Sequence, residues 1–364
     1  MIRAEAIVVL VCFHDAAPPH ASASAARRLG LTEGLDRRCR WHGEQLLSIQ
    51  LDRPAEASAL AELSGLPGIR EIRVVPAEGG LTSMKGASGR SLVRLPNREV
   101  IGGGTLAVIA GPCSVESAAQ ICEIAARVRE AGASALRGGA FKPRSSPYAF
   151  AGLGEKALEH LALAREKTGL PVVTEVLESA DIDLVARYAD MIQIGARNMH
   201  NFPLLFKAGS HRSGKPILLK RGLSATIAEF LQAAEHVLLG RLSVGLDEPR
   251  LILCERGIRT GNDSTRFTLD VGAIAVLRER THLPVIADPS HAAGDRRHVA
   301  PLALAAAAAG ADGLMIEVHP QPSEAWSDGP QCIDPAGFQE LMNDLRLLKV
   351  PDAGSRPRAI RRRG

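Results

Sequence analysis

Eight short runs rich in Val, Ile and Leu recur after Leu106, each trailed by a longer stretch of helical character, and this recurrence limits the fold more than any other feature of the chain. The runs are LAVIAG (106–111), SALRGG (134–139), PVVTEV (171–176), MIQIGA (191–196), PILLKR (216–221), LILCER (251–256), PVIADP (284–289) and GLMIEV (313–318). Helix candidates between them include ESAAQICEIAARVREAG, TIAEFLQAAEHVLLG and the alanine-rich VAPLALAAAAAG. Unbroken apolar strands are those covered on both faces, and right-handed crossovers wind them in parallel. Eight such β-α units over residues 105–350 predict a closed (β/α)8 TIM barrel. An open doubly wound sheet is the competing fold; it would use fewer strands and a GxGxxG first turn, which the chain lacks.

Residues 1–78 have another texture. Strand-like runs at 6–13, 38–41, 45–51 and 69–75 and helix-like segments at 20–29 and 55–63 give the order βαββαβ, the split βαβ of a small ferredoxin-like domain. Gly and Ser crowd the stretch that follows, EGGLTSMKGASGR in particular, so residues 79–104 are expected to be a linker. Residues 351–364 end in SRPRAIRRRG, with five arginines, and are expected to be a basic tail without fixed structure.

That tail accounts for the formal charge of +4, so the body of the protein is close to neutral. The clustered arginines could supply phosphate affinity to a nucleic-acid binder, but aromatic residues make up only 3% of the chain and leave few stacking platforms. No nucleic-acid partner is expected. The six cysteines (Cys12, Cys39, Cys113, Cys122, Cys254, Cys332) show no CxxC spacing, which argues against a disulfide framework or a zinc ribbon and for a reduced compartment. The apolar N-terminal patch AIVVLVCF has no basic flank or cleavage site and is too short to span a bilayer. A cytoplasmic protein with no membrane partner is expected.

Barrel enzymes carry their chemistry where the strands end at the C-terminal face. The polar residues that fall there are Cys113, Arg137 with Lys142 and Arg144, Glu175, Arg197, Lys220, Arg256, His291, and Glu317 followed by Asp328. Taken singly, each has a bland alternative as packing, as a solvated loop residue or as a partner for a helix carboxylate. Taken together they form two chemical sets. Cys113, His291, Glu317 and Asp328 come from the first, seventh and eighth units, neighbours in a closed barrel, and mixed S, N and O donors suit Mn, Fe, Co or Zn better than Mg or Ca. The cations Arg137, Lys142, Arg144, Arg197, Lys220 and Arg256 imply a polyanionic ligand with two phosphates, or a phosphate and a carboxylate.

The strings GPCSVES, LRGGAFKPRSSPYAFAGLG, TEVLE, QIGARNM, LLKRG, ILCERGIRT, ADPSHAAGDRR and MIEVHPQPSEAWSDGPQ resemble the β subclass of type I 3-deoxy-D-arabino-heptulosonate 7-phosphate (DAHP) synthases over about residues 90–350. The resemblance implies a transferase of the shikimate pathway that condenses phosphoenolpyruvate with erythrose 4-phosphate. It implies Cys113, His291, Glu317 and Asp328 as metal ligands. Arg137, Lys142, Arg197, Lys220 and Arg256 would hold phosphoenolpyruvate, with Glu175 nearby, and Arg144 and Ser145 would bind the phosphate of erythrose 4-phosphate. Lys142, Cys113 and His291 are then the catalytic candidates. It further implies that the N-terminal domain binds an aromatic amino acid, Tyr or Phe, between neighbouring subunits of a homodimer or homotetramer; an assembly module is the plainer alternative. A 3-deoxy-manno-octulosonate 8-phosphate synthase would share the barrel and phosphoenolpyruvate, but typically shows Lys-Ala-Asn-Arg-Ser where this chain has Lys-Pro-Arg-Ser-Ser. A non-catalytic sensor barrel would have no need of the complete metal and cation sets.

Overall fold

The structure, a computed structural model, describes residues 6–18, 20–31, 38–143 and 146–348. The N-terminal region forms β1 (Ile7–Phe13), α1 (Ala21–Arg28), β2 (Cys39–His42), β3 (Leu46–Leu51), α2 (Ala57–Ser64) and β4 (Ile69–Pro76). These strands make one antiparallel sheet in the order β2-β3-β1-β4, so β1 and β3, the two strands that lead into helices, lie side by side at its centre and β2 and β4 form its edges, in the split βαβ manner. Alternation sorts the side chains of β1. Val9, Val11 and Phe13 pack with Leu47, Ile49 and the helix residues Ala25 and Leu63, while Leu10 and Cys12 face the other way with Leu46.

The stretch expected to be a linker is more structured than that. It holds a short hairpin, β5 (Val93–Arg94) and β6 (Val100–Ile101). Val93, Leu95 and Ile101 join the innermost residues of the barrel strands in one buried cluster, so the hairpin plugs the end where the strands begin. Its Gly-rich flanks disguise three core residues.

All eight expected barrel strands form: β7 (Ala107–Gly111), β8 (Ala135–Arg137), β9 (Val172–Val176), β10 (Met191–Ile194), β11 (Ile217–Lys220), β12 (Leu251–Glu255), β13 (Val285–Ala287) and β14 (Gly313–Glu317). Every neighbouring pair is parallel, and β14 pairs with β7 to close the ring. The helices between and after them are α3 (Ala118–Ala131), α4 (Glu155–Thr168), α5 (Ile182–Tyr188), α6 (Phe202–Gly209), α7 (Ile227–Ser243), α8 (Val271–Arg280), α9 (Pro289–Ala293), α10 (Val299–Ala308) and α11 (Pro335–Leu347). Local chemistry sets several of their starts: Ser117 caps α3 by accepting the Gln120 N–H, and Thr226 and Glu229 form a reciprocal capping box on α7. No helix among the described residues is long and apolar enough to cross a membrane.

Strand alternation also builds the interior. Ala107, Ile109, Ala135, Val173, Met191, Leu218, Ile252, Cys254, Ile286 and Met315 point into the barrel, whereas Val108, Ala110, Leu136 and Val172 pack outward against the helices. Two residues beyond an inward apolar residue, on the same phase, stand Arg137, Glu175, Gln193, Lys220, Arg256, Asp288 and Glu317. One periodicity therefore makes a dry lower layer and a charged upper one.

The N-terminal sheet docks on the outside of this barrel through Leu10, Cys12 and Leu46, which meet Leu242 near the end of α7. Arg70 donates to the Leu242 carbonyl at 2.8 Å and Arg73 pairs with Asp247 at 2.8 Å. These contacts lie where α7 leads into the start of β12, at the end opposite the charged layer. Glu235 of α7 fixes the connection, accepting the backbone N–H groups of Leu81 at 3.0 Å and Thr82 at 2.5 Å. Burial pushes its carboxyl up to about 7, against those hydrogen bonds, which favour the ionised form.

A carboxyl whose pKa is raised by folding stabilises the protein below its unfolded value near 4.5, and that stability is lost as pH rises through the folded value near 7. Chemical denaturation of the wild type and Glu235→Gln at pH 5 and pH 8 tests this. The wild type is expected to lose about 2–3 kcal/mol more than the variant over that interval; equal losses would place the titration elsewhere.

Candidate metal and anion site

The charged upper layer opens into a cavity of about 300 Å3 lined by Arg137, Lys142, Glu175, Arg197, Lys220, Arg256, His291 and Asp328, among others. Cys113 and Glu317 lie beneath it, with 1% and 0% exposure. Arg144 and Ser145 lie outside the described residues.

Four of the expected residues converge. One ligand atom from each of Cys113, His291, Glu317 and Asp328 lies within 4.8 Å of all the others. Cys113 follows β7, Glu317 ends β14, His291 sits in α9 just past β13, and Asp328 belongs to the long turn after β14. The Cys113 thiol lies 3.2 Å from Asp328 Oδ2, and His291 Nε2 lies 3.5 Å from Glu317 Oε1.

Residues that strand-end inspection did not pick out hold these four in place. Asp288 caps α9, its Oδ1 accepting the His291 N–H at 3.0 Å. Its Oδ2 lies 2.7 Å from His291 Nδ1 and also pairs with Lys220 Nζ. The charge of that carboxylate favours the ring proton on Nδ1 and the lone pair on Nε2, although Nδ1 and Oδ2 are not aligned as a hydrogen bond. Gln331 donates to Glu317 Oε2 at 2.5 Å, so Glu317 Oε1 is the atom left over. Arg266 donates to Asp328 Oδ1 at 3.2 Å and to Gln331 Oε1 at 2.8 Å. Gln193 donates to Glu175 Oε2 at 3.0 Å, and Gly195 lets the other oxygen of Glu175 approach the backbone where any Cβ would collide with it.

Neighbouring cations hold the carboxyls of Glu317 and Asp328 below the usual range, so the cluster carries two ionised carboxylates. Burial pushes the Cys113 thiol up to about 12, with the Glu317 charge adding to the effect. Burial likewise depresses His291 to about 4, overcoming the opposite pull of Asp288 and Glu317. Thiol and imidazole are therefore neutral at pH 7. Glu317 Oε1 is buried without a hydrogen bond, although Arg137 Nη2 stands 3.1 Å away. One soft thiol, one imidazole with a free lone pair and two carboxylates fit a divalent transition ion, and the orphaned oxygen is the atom such an ion would satisfy.

The cations form the other half. Arg137 Nε and Nη1 and Arg256 Nη1 are buried with no protein acceptor. Buried N–H groups left unpaired are costly, and a guanidinium needs planar oxygen partners. Burial lowers the Arg256 pKa, and the Phe267 ring lies 4.5 Å from its guanidinium. Lys220 is paired with the buried carboxylate of Asp288. Lys142 bridges the halves: its Nζ donates to Cys113 Sγ at 2.8 Å and to the Cys113 carbonyl at 3.0 Å.

The chain is similar to known proteins over most of its length. The model of the DAHP synthetase I family matches residues 89–349. A phospho-2-dehydro-3-deoxyheptonate aldolase from Thermotoga maritima is 51% identical over 248 residues, 68% of this chain and 71% of its own. A 2-dehydro-3-deoxyphosphooctonate aldolase from Polaromonas naphthalenivorans is more distant, 32% identical over 66% of this chain and 89% of its own. The crystal structure of the Thermotoga maritima DAHP synthase superposes with a TM-score of 0.71 at 38% identity, covering 94% of this chain and 96% of that one, so the match includes the N-terminal domain. A truncated form of that enzyme gives a TM-score of 0.66 at 46% identity, covering 73% of this chain and 95% of that one. The chain belongs to the DAHP synthetase I family.

Proposed function

We propose that the two halves of this mouth divide the work of the family's reaction, in which phosphoenolpyruvate, D-erythrose 4-phosphate and water give 3-deoxy-D-arabino-heptulosonate 7-phosphate and phosphate, the first step of the shikimate pathway. The observation that carries the division is that Arg137 and Arg256 bring buried, acceptorless N–H groups to a cavity beside four metal-capable side chains.

Cys113, His291, Glu317 and Asp328 would hold a divalent ion, Mn, Fe, Co or Zn. Bound there, it supplies Lewis-acid polarisation at the aldehyde oxygen of the sugar phosphate. Loss of the Cys113 proton accompanies binding, because only the thiolate is a ligand. Arg137, Lys142, Arg197, Lys220 and Arg256 take the carboxylate and phosphate of phosphoenolpyruvate, the arginines through forked hydrogen bonds. Glu175, held by Gln193, orients the ligands in the same cavity. Arg144 and Ser145 receive the phosphate of erythrose 4-phosphate. C3 of phosphoenolpyruvate then attacks the aldehyde carbon, water captures the positive charge developing at C2, and the tetrahedral adduct loses phosphate by C–O cleavage. Lys142 delivers a proton to the new alkoxide, and the fixed cations stabilise charge without reorganising. An effector such as Tyr or Phe would reach a mouth through the N-terminal domain of a neighbouring copy in a dimer or tetramer, since the chain's own domain is docked at the far end of the barrel.

Metal-reconstituted protein is expected to consume phosphoenolpyruvate with erythrose 4-phosphate and not with arabinose 5-phosphate, and Cys113→Ala to abolish turnover. Consumption with the five-carbon sugar alone would move the chain to the octulosonate reaction. Arg256→Ala should raise KM for phosphoenolpyruvate about 10- to 100-fold, the worth of one charged hydrogen-bonding group. Asp288→Asn leaves Lys220 buried without its counter-charge, so urea denaturation of the metal-free protein should show a loss of about 3 kcal/mol; an unchanged midpoint would mean that water, not Asp288, neutralises Lys220.

A further inference from the structure

Two of the metal-capable residues stand on separate loops. Cys113 lies between β7 and α3, and Asp328 lies eleven residues beyond the end of β14 with its backbone in the left-handed region, φ 52°. Beside that pair runs a short ladder of polar contacts. Ser114 Oγ and Ser327 Oγ are 2.6 Å apart, both buried. Glu116 Oε1 accepts the Trp326 N–H at 2.8 Å, and Glu116 Oε2 lies 3.3 Å from His319 Nε2. His319 Nδ1 already accepts the Gln321 N–H at 3.1 Å, so the ring proton sits on Nε2 and is donated to Glu116. Both carboxylate oxygens are thus used to tie one loop to the other. None of Ser114, Glu116, His319 or Ser327 lines the cavity, so the chemistry does not use them directly.

We propose that Glu116 is a positioning residue for the metal site: with the Ser114–Ser327 contact it clasps the turn after β14 and sets Asp328 against Cys113. The inference rests on the assignment of those two residues as ligands. Metal ligands must meet within a few tenths of an ångström, and partners outside the ligand set that orient them commonly change affinity 10- to 100-fold. Asp328 needs such a partner because nothing in a strand or long helix fixes its backbone. Arg266 holds its side chain but not the segment that carries it.

The test is Co2+ titration of the full-length metal-free protein, followed by the thiolate-to-cobalt charge-transfer absorption, with thermal melting alongside. Glu116→Gln keeps the volume but turns an amide N–H2 toward the His319 Nε2–H, donor against donor. It is expected to weaken Co2+ binding about tenfold or more and to alter the band, while the metal-free protein melts within a few degrees of the wild type. Ser327→Ala removes one hydroxyl and should weaken binding in the same sense; it serves as the test if Glu116→Gln does not fold. Wild-type affinity and band in these variants would overturn the proposal, even if melting falls, since that pattern marks a purely structural tie. Cys113→Ala separates the underlying assignment: a band that survives it shows that the thiol is not a ligand, and defeats both.

Discussion

The upper layer of the barrel interior is a set of charges withdrawn from water, and their mutual compensation governs the rest of the molecule. An isolated charge in such a place would shift its pKa or unfold the site. Here Lys220 is held by Asp288, Arg137 by Glu317 and Arg266 by Asp328. What stays uncompensated is informative: Arg256 Nη1 and Arg137 Nε and Nη1 have no acceptor, and Glu317 Oε1 has no hydrogen-bond donor. In the proposed assignment, a divalent ion displacing the Cys113 proton would satisfy that oxygen and leave the layer one unit more positive. An anionic ligand then answers the guanidinium groups. The two halves of the layer are coupled, because Arg137 pairs with the metal-capable Glu317 while lining the anion cavity.

That arrangement requires a rigid scaffold, and the lower half of the barrel supplies it. The hairpin at Val93–Ile101 and the inward apolar residues form one dry cluster directly below the charges. Close packing there leaves the strand ends no freedom to splay. The N-terminal sheet adds a second constraint from outside through Leu242, Arg70 and the buried Glu235. Those contacts converge on α7, whose parent strand β11 carries Lys220.

The sequence discloses the barrel because apolar runs covered on both faces carry a strong signal, and it discloses the converging side chains because barrel chemistry is confined to one end of the strands. The same logic could have been pushed further. Asp288 and Gln193 stand two residues beyond the inward-facing Ile286 and Met191, on the phase that delivers Arg137 and Glu317. Neither stands out in the sequence, because an Asp before Pro equally suits a helix start and a Gln carries no charge. The hairpin was hidden for a different reason: its strands are two residues long, and Gly and Ser flank them. Only the closed barrel beneath supplies the surface that makes Val93 and Ile101 core. The pairing of Lys220 with Asp288 was likewise invisible, because it joins residues 68 apart whose strands are not adjacent in the sheet.

Strand phase and loop sequence contribute different kinds of specificity. Arg137, Glu175, Lys220, Arg256 and Glu317 are fixed by alternation along parallel strands, so their relative placement follows from barrel closure itself. Such positions suit the part of the reaction common to enzymes that use phosphoenolpyruvate, whatever aldose they accept. In the proposed assignment the second substrate would meet the segment after Lys142, where Pro143, Ser146 and Ala149 line the cavity and no strand dictates the backbone. Loop residues can change without disturbing the ion or the phosphoenolpyruvate half, which is how one barrel can serve sugars of different length. Lys142 stands at the junction, anchored to Cys113 on one side and opening the loop segment on the other, so a proton donor at this position would stay registered to the four metal-capable residues whatever sugar the loop receives.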